Sequence, residues 1–170
     1  MLTIRKAELR DVPTLCRLIN HYAAEQVILP RTLTDLYEHV WEFTVAEEKG
    51  QLLGCGALRL YDQELAEIRS LCVETAVKSN GIGRAISESL LDEAERFSLK
   101  RVFVLTVVPA FFGKLGFCDV PREKFPAKVW RDCMQCERYS ACNEQAMALE
   151  LASRHARAAE APAVAAEVSG

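Results

Sequence analysis

No apolar run in these 170 residues is long enough to cross a bilayer, which argues against a membrane-spanning helix. The N-terminus, Met-Leu-Thr-Ile-Arg-Lys, has no apolar stretch of the kind a secretory leader carries. Basic patches interleaved with aromatics are missing, and the net charge is -3. Neither nucleic acid nor a membrane is therefore an expected partner. The 7 cysteines are odd in number and scattered, so with no secretory signal they are expected to be reduced thiols in the cytoplasm. No internal repeat is seen. What remains is an ordinary globular composition, 50% apolar and 26% charged, in a length that suits one domain with a full core.

Periodicity orders the chain. Thr3 to Ala7 suits a strand, and Asp11 is an expected N-cap for a first helix with an apolar stripe at Leu15, Leu18, Ile19 and Tyr22. Thr32 or Thr34 caps a second helix through Leu36 and Val40. Trp41 to Ala46 and Gln51 to Tyr61 make a hairpin, and Leu65 to Val73 continues it. A third helix with apolar residues at Ile82, Ile86, Leu90, Ala94 and Phe97 ends near Leu99. Arg101 to Val108 is a continuous apolar run that suits a strand covered on both faces. Pro109 opens a short helix closed by Gly116, and strands at Phe117 to Val120 and Ala146 to Leu151 finish the pattern. The implied fold class is α/β (α+β), a mixed sheet flanked by helices in three layers. Residues 1–151 form one domain, with a cysteine-containing insert at about 121–144. Residues 152–170 are Ala-rich and are expected to be a mobile tail.

The chemistry concentrates at Val77 to Ala85, Val-Lys-Ser-Asn-Gly-Ile-Gly-Arg-Ala, where a strand hands over to the third helix. Such a junction leaves backbone N–H groups unpaired, with the positive end of the helix dipole behind them. Glycine there lets the main chain approach a ligand, so the stretch is a candidate phosphate cradle. No Gly-Lys-Ser/Thr follows, and position 86 is Ile, so neither a Walker A loop nor a complete dinucleotide fingerprint is present.

Written as Lys78-x-x-Gly81-x-Gly83, the loop resembles the Gln/Arg-x-x-Gly-x-Gly/Ala signature of the GNAT superfamily of acyl-CoA N-acyltransferases, with Lys in place of Gln or Arg. Ala66 to Val73 resembles that superfamily's fourth strand, and Phe112-Gly-Lys-Leu-Gly-Phe117 its Tyr-x-x-x-Gly-Phe corner. A closer resemblance is to the acetyltransferase domain of the N-acetylglutamate synthase family. It rests on Leu29-Pro-Arg-Thr32, Glu67-Ile-Arg-Ser70, Leu105-Thr-Val107 and Phe111 to Phe117, with the Lys128 to Cys136 segment similar to the short stand-alone form.

The resemblance implies acetyl-CoA as co-substrate, L-glutamate as small-molecule partner and direct attack of the amine on the thioester. A homodimer is left open. The cofactor would meet Leu71, Cys72 and Val73, whose strand carries a bulge in the superfamily, then Lys78, Ser79, Asn80, Gly81, Ile82, Gly83 and Arg84, with Phe112 also assigned to it and Phe111 and Phe112 read as core or cofactor-wall residues. Glu67 is the candidate base, against the alternative that it only pairs with Arg69 two residues on. The tyrosine that often protonates the leaving thiolate is replaced by Phe112, which leaves water or Ser70 for that role. Arg31, Arg59 and Arg69 are candidates for gripping the two substrate carboxylates, with Arg59 and Arg69 expected to meet across a hairpin.

Cys133, Cys136 and Cys142 are close in sequence, and Cys-x-x-Cys is a metal-ligand spacing, but no second Cys/His pair follows. They are taken as a reduced-thiol insert with no metal. Two other readings stay open. One is acetylation of a different small amine or a protein amine. The other is a non-catalytic acyl-CoA sensor or metal-binding interaction module, favoured if Glu67 faces away from the cleft or if metal alone changes the protein's assembly.

Overall fold

A computed structural model gives the fold and describes residues 1–126, 130–137 and 139–154. Residues 128–129 of the Lys128 to Cys136 segment, and the Ala-rich stretch from His155 onward, lie outside the described residues. Strands β1 (Leu2–Lys6), β2 (Phe43–Glu48), β3 (Gln51–Leu60), β4 (Leu65–Val73), β5 (Arg101–Thr106), β6 (Cys118–Asp119) and β7 (Gln145–Glu150) form one sheet. Its order is β1-β2-β3-β4-β5-β7-β6. β4 and β5 run parallel, while the other described neighbours are antiparallel. Helices α1 (Val12–Ala24) and α2 (Leu33–Glu38) pack on one face, and α3 (Ile82–Arg96) and α4 (Pro109–Lys114) on the other. The short α5 (Arg131–Met134) lies in the segment between β6 and β7. This is the three-layer arrangement that the element order implies.

The apolar periodicities land as written. α1 buries Val12, Leu15, Leu18, Ile19 and Tyr22, and α3 buries Ile82, Ile86, Leu90, Leu91 and Ala94. Val102, Phe103 and Val104 of β5 are fully buried in succession, as a strand covered on both faces requires. Phe97 departs from the expected stripe. α3 ends at Arg96, the chain turns through Ser98 at φ +58°, and Leu99 enters the core while Phe97 stays exposed. Thr32 does cap α2, its hydroxyl accepting from the Asp35 N–H at 3.1 Å. Asp11 does not cap α1 with its side chain. Its carboxylate instead accepts from Arg5 at 2.7 and 3.1 Å and from the Glu8 N–H at 2.8 Å, tying β1 to the start of the helix.

Two features of the central strands shape everything above them. β4 carries one more residue than β3 between the pairs Cys55↔Cys72 and Ala57↔Arg69, a bulge in which Ser70 takes φ +53°. The bulge therefore falls at Ser70–Leu71, the near edge of the stretch where it was expected. On the other side of β4, pairing with β5 runs only through Leu65↔Arg101, Ala66↔Val102 and Glu67↔Phe103. Beyond Glu67 the two strands part, and the sheet opens toward the N-terminus of α3.

Beneath the bulge, α3 lies close on β3 because Gly54 and Gly56 have no side chain. A Cβ at Gly54 would sit 2.9 Å from the Cys72 carbonyl oxygen, and one at Gly56 would sit 3.0–3.1 Å from Ile86, Leu71 and Leu90 side-chain atoms. Gly113 in α4, by contrast, faces open space. Gly54→Ala is accordingly expected to lower the free energy of unfolding by about 1–3 kcal/mol through overpacking. Gly113→Ala should be neutral or stabilising by up to about 1 kcal/mol. Urea denaturation of the two variants measures the contrast.

Candidate active site

The parting of β4 and β5 leaves the β5-facing edge of Ile68–Val73 without a ladder partner, and Glu67 is the last paired residue before the gap. A cavity of about 60 Å³ opens there, lined by Glu67, Arg69 and Ser70 of β4, Leu105 of β5, Tyr61, and Cys133 and Glu144 from the segment between β6 and β7. It shares Ile28, Leu29 and Arg69 with a larger cleft of about 630 Å³, whose wall also includes Arg31, Thr32 and Asp35 on one side and Gln135, Cys136 and Glu137 on the other. The cysteine-containing insert thus forms one wall of the cleft.

Glu67 is 8% exposed, and its Oε2 accepts a 2.8 Å hydrogen bond from the Tyr61 hydroxyl. Arg69 Nη1 lies 4.0 Å from the same oxygen. That ion pair is therefore at the limit of contact, and the phenol is a closer partner. Arg31 sits on the loop after α1. Asn20 holds that loop by accepting from the Arg31 N–H at 3.0 Å and donating to the Arg31 carbonyl at 2.7 Å. The Arg31 guanidinium is mostly buried and bridges to Asp35 at 2.9 Å. Arg31 and Arg69 share the larger cleft, but Arg59 lines neither cavity. The strand register sets Arg59 opposite Glu67 and Arg69 opposite Ala57, and Arg59 Nε donates to Glu42 at 3.1 Å. The expected meeting of Arg59 and Arg69 is thus replaced by a diagonal offset, with Arg59 drawn to Glu42.

At the other end of the opening, Gly81 is the N-cap of α3 at φ +77°, a conformation that favours glycine, and Ser79 has φ +73°. No side chain caps this helix among the described residues, so the N–H groups of Ile82, Gly83 and Arg84 are left for a ligand. Nothing lies within 4 Å of a Cβ built at Gly81, while one at Gly83 would meet Phe111 and Val73 at 3.6 Å. The bare main chain at Gly81 and the 15-residue helix behind it suit a pyrophosphate. Lys78 reaches back over Tyr22, 4.6 Å from the ring centre, and the Tyr22 hydroxyl donates to the Val73 carbonyl at 2.6 Å. Asn80 completes the loop, its N–H donating to the Val77 carbonyl at 3.4 Å. Leu71 and Val73 pack partly into the α3 core, whereas the Cys72 side chain turns to the α1 face beside Cys55, Sγ to Sγ 3.5 Å, so that only its main chain faces the opening. Phe112 is a core residue, edge-on between Phe111 and Phe117. The ring beside Gly83 is Phe111, which corrects the wall assigned to Phe112.

Among the described residues no group of three His, Cys, Asp or Glu is arranged to hold a metal ion. Cys133 lines the small cavity, Cys136 the larger cleft, and Cys142 accepts from Arg122 at 3.4 Å. Burial, reinforced by the nearby Glu144, Cys142 and Glu67 charges, pushes the Cys133 thiol up to about 11. Three site residues escaped the sequence. Tyr61 and Glu144 have no motif around them, and Cys133 stood out only for its spacing to Cys136.

Comparison with known proteins agrees with this geometry. Residues 10–117 match the model of the acetyltransferase (GNAT) family. An uncharacterized N-acetyltransferase of Chlorobaculum tepidum is 40% identical over 85% of this chain and 93% of its own length. An amino-acid acetyltransferase of Mycobacterium tuberculosis is 39% identical over 80% of this chain and 78% of its own. The solved N-acetylglutamate synthase of Neisseria gonorrhoeae, complexed with coenzyme A and N-acetyl-glutamate, aligns with a TM-score of 0.81 at 25% identity. That alignment covers 89% of this chain and 35% of the larger protein.

The raised Cys133 pKa has a direct readout. At pH 8 the thiol should be almost wholly protonated, and its alkylation by iodoacetamide should run about a hundred-fold slower than that of free cysteine. The rate should climb as pH approaches 11, followed by mass spectrometry of the Cys133 peptide.

Proposed function

The chain belongs to the acetyltransferase (GNAT) family and transfers acetyl groups from acetyl-CoA to nitrogen, and from that premise we propose that its acceptor is the α-amine of L-glutamate, the first step of arginine biosynthesis. The observation that carries this reading is the pair of adjoining cavities that share Arg69, with Arg31 on the wall of the larger and Glu67 lining the smaller. Two guanidiniums match two carboxylates, each pair able to form charge-assisted bonds. The names of the Mycobacterium and Neisseria relatives point the same way.

In this reading Glu67 takes a proton from the substrate ammonium. The freed amine attacks the thioester carbonyl carbon, the tetrahedral adduct breaks its C–S bond, and the second proton leaving the nitrogen passes through water or Ser70 to the departing coenzyme A thiolate, giving the neutral amide and the thiol. Main-chain N–H groups of Leu71 to Val73, beyond the bulge, receive the developing oxyanion. The Ser79 to Arg84 main chain would hold the pyrophosphate, and Lys78 beside it would supply positive charge. A covalent acetyl-Cys133 is disfavoured, since a thiol with a pKa of about 11 is a poor nucleophile at neutral pH. A Glu67 turned away from the cleft would have favoured the sensor reading, and Glu67 instead lines the smaller cavity.

Coenzyme A release should be measured against each common amino acid. Glutamate alone should give turnover, and Glu67→Gln should lower kcat by about two to four orders of magnitude. Arg31→Ala and Arg69→Ala should each raise the glutamate KM by about ten- to a hundred-fold, while Arg59→Ala leaves it nearly unchanged. Turnover with a different amine, or an equal response to all three arginine changes, would replace glutamate as the acceptor.

A further inference from the structure

We infer that Tyr61 is a positioning residue for Glu67, holding its carboxylate ionised and aimed into the acceptor cavity; this rests on the reading of Glu67 as the base. The phenol is itself held on two sides. The Tyr61 N–H donates to the Leu65 carbonyl at 2.9 Å, which fixes the main chain where β3 turns into β4. Its ring lies against the fully buried Phe103, centroids 5.7 Å apart, and Phe103 in turn stacks on Phe125 at 4.4 Å. A tyrosine has two rotatable side-chain bonds, and packing against this aromatic column fixes both. The hydroxyl then arrives at Glu67 Oε2 at 2.8 Å.

A hydrogen bond donated to a carboxylate favours its charged form and orients its plane. Other groups face the same carboxylate. Arg69 Nη1 is 4.0 Å away on β4, Arg59 lies opposite on β3, and Cys133 and Glu144 line the cavity from the segment between β6 and β7. The arginines keep their charge at all working pH values. The phenol is a close neutral donor at Oε2, and its removal leaves the arginine and Glu144 charges in place.

Tyr61→Phe keeps the ring and deletes the donor. It should lower kcat about ten-fold, hold the glutamate KM within about two-fold, and move the acid limb of the kcat–pH profile up by about one unit. Added to Glu67→Gln, it should cause no further loss, because the two side chains act as one unit. Replacing the 4 tyrosines by fluorotyrosine, a stronger donor in the same shape, should move the acid limb down, and this arm serves if Tyr61→Phe does not fold. An unmoved acid limb, or the same fold-loss from Tyr61→Phe in both backgrounds while Glu67→Gln is crippled, overturns the role of Tyr61 alone. A Glu67→Gln enzyme that works near the wild-type rate overturns the base, and the positioning role with it.

Discussion

The structure depends on one incomplete strand pairing. β4 is bound to β3 along its length but to β5 only as far as Glu67↔Phe103. Had the ladder continued, the main-chain groups of Ile68–Val73 would be consumed by the sheet and no opening would exist. The bulge at Ser70 is the device that turns β4 away, and its φ of +53° is a strained conformation for serine, a cost of about 1–2 kcal/mol. The packing below holds it in place. Ile86 and Leu90 of α3 press on Gly54 and Gly56 directly across the sheet from the bulge, and the helix whose N-terminus faces the gap is fixed by the same contacts.

Around that gap the acceptor cleft is assembled from parts remote in sequence. The loop at Arg31 is clamped by Asn20 of α1, Glu67 and Arg69 come from β4, and the far wall comes from residues 133–144. Arg122 holds that wall down, donating to the Glu144 carbonyl and lying over the Trp130 ring. Arg31 is bonded to Asp35, which also lies 3.3 Å from His39, so an incoming carboxylate meets a guanidinium already oriented and partly neutralised.

How much of this could be read from residues alone follows from how local each feature is. The turn at Lys78 to Gly83 is a matter of neighbouring backbone conformation, and the positive φ of Gly81 needs nothing distant, so the sequence exposes it. The buried faces of α1 and α3 follow from 3.6-residue spacing, and β5 from an unbroken apolar run. Arg59 and Arg69 could not be told apart, because only the strand register and the position of Glu42 decide which one reaches the cleft. Asp11 looks like any helix cap until Arg5 arrives from β1. Tyr61 reaches Glu67 across the β3–β4 hairpin, but Cys133 and Glu144 join that cavity only through the tertiary fold, and residues 121–144 have no periodicity that would announce them as a wall.

The loss of a phenol at position 112 weighs less than it first suggests. A thiol with a pKa near 8.5 departs as its anion at a cost of about 2 kcal/mol at neutral pH, so an acid at that point supplies at most about that much. Removing a proton from an ammonium nucleophile is the more demanding transfer, and a placed base contributes about 10²–10⁴, or roughly 3–5 kcal/mol. Magnitudes therefore concentrate the chemistry at Glu67. They also explain why a tyrosine is better placed against that carboxylate than against the leaving sulfur. At Phe112 a hydroxyl would enter the packed aromatic corner with Phe111 and Phe117. At position 61 it meets an oxygen of the group whose ionisation the proposed reaction turns on.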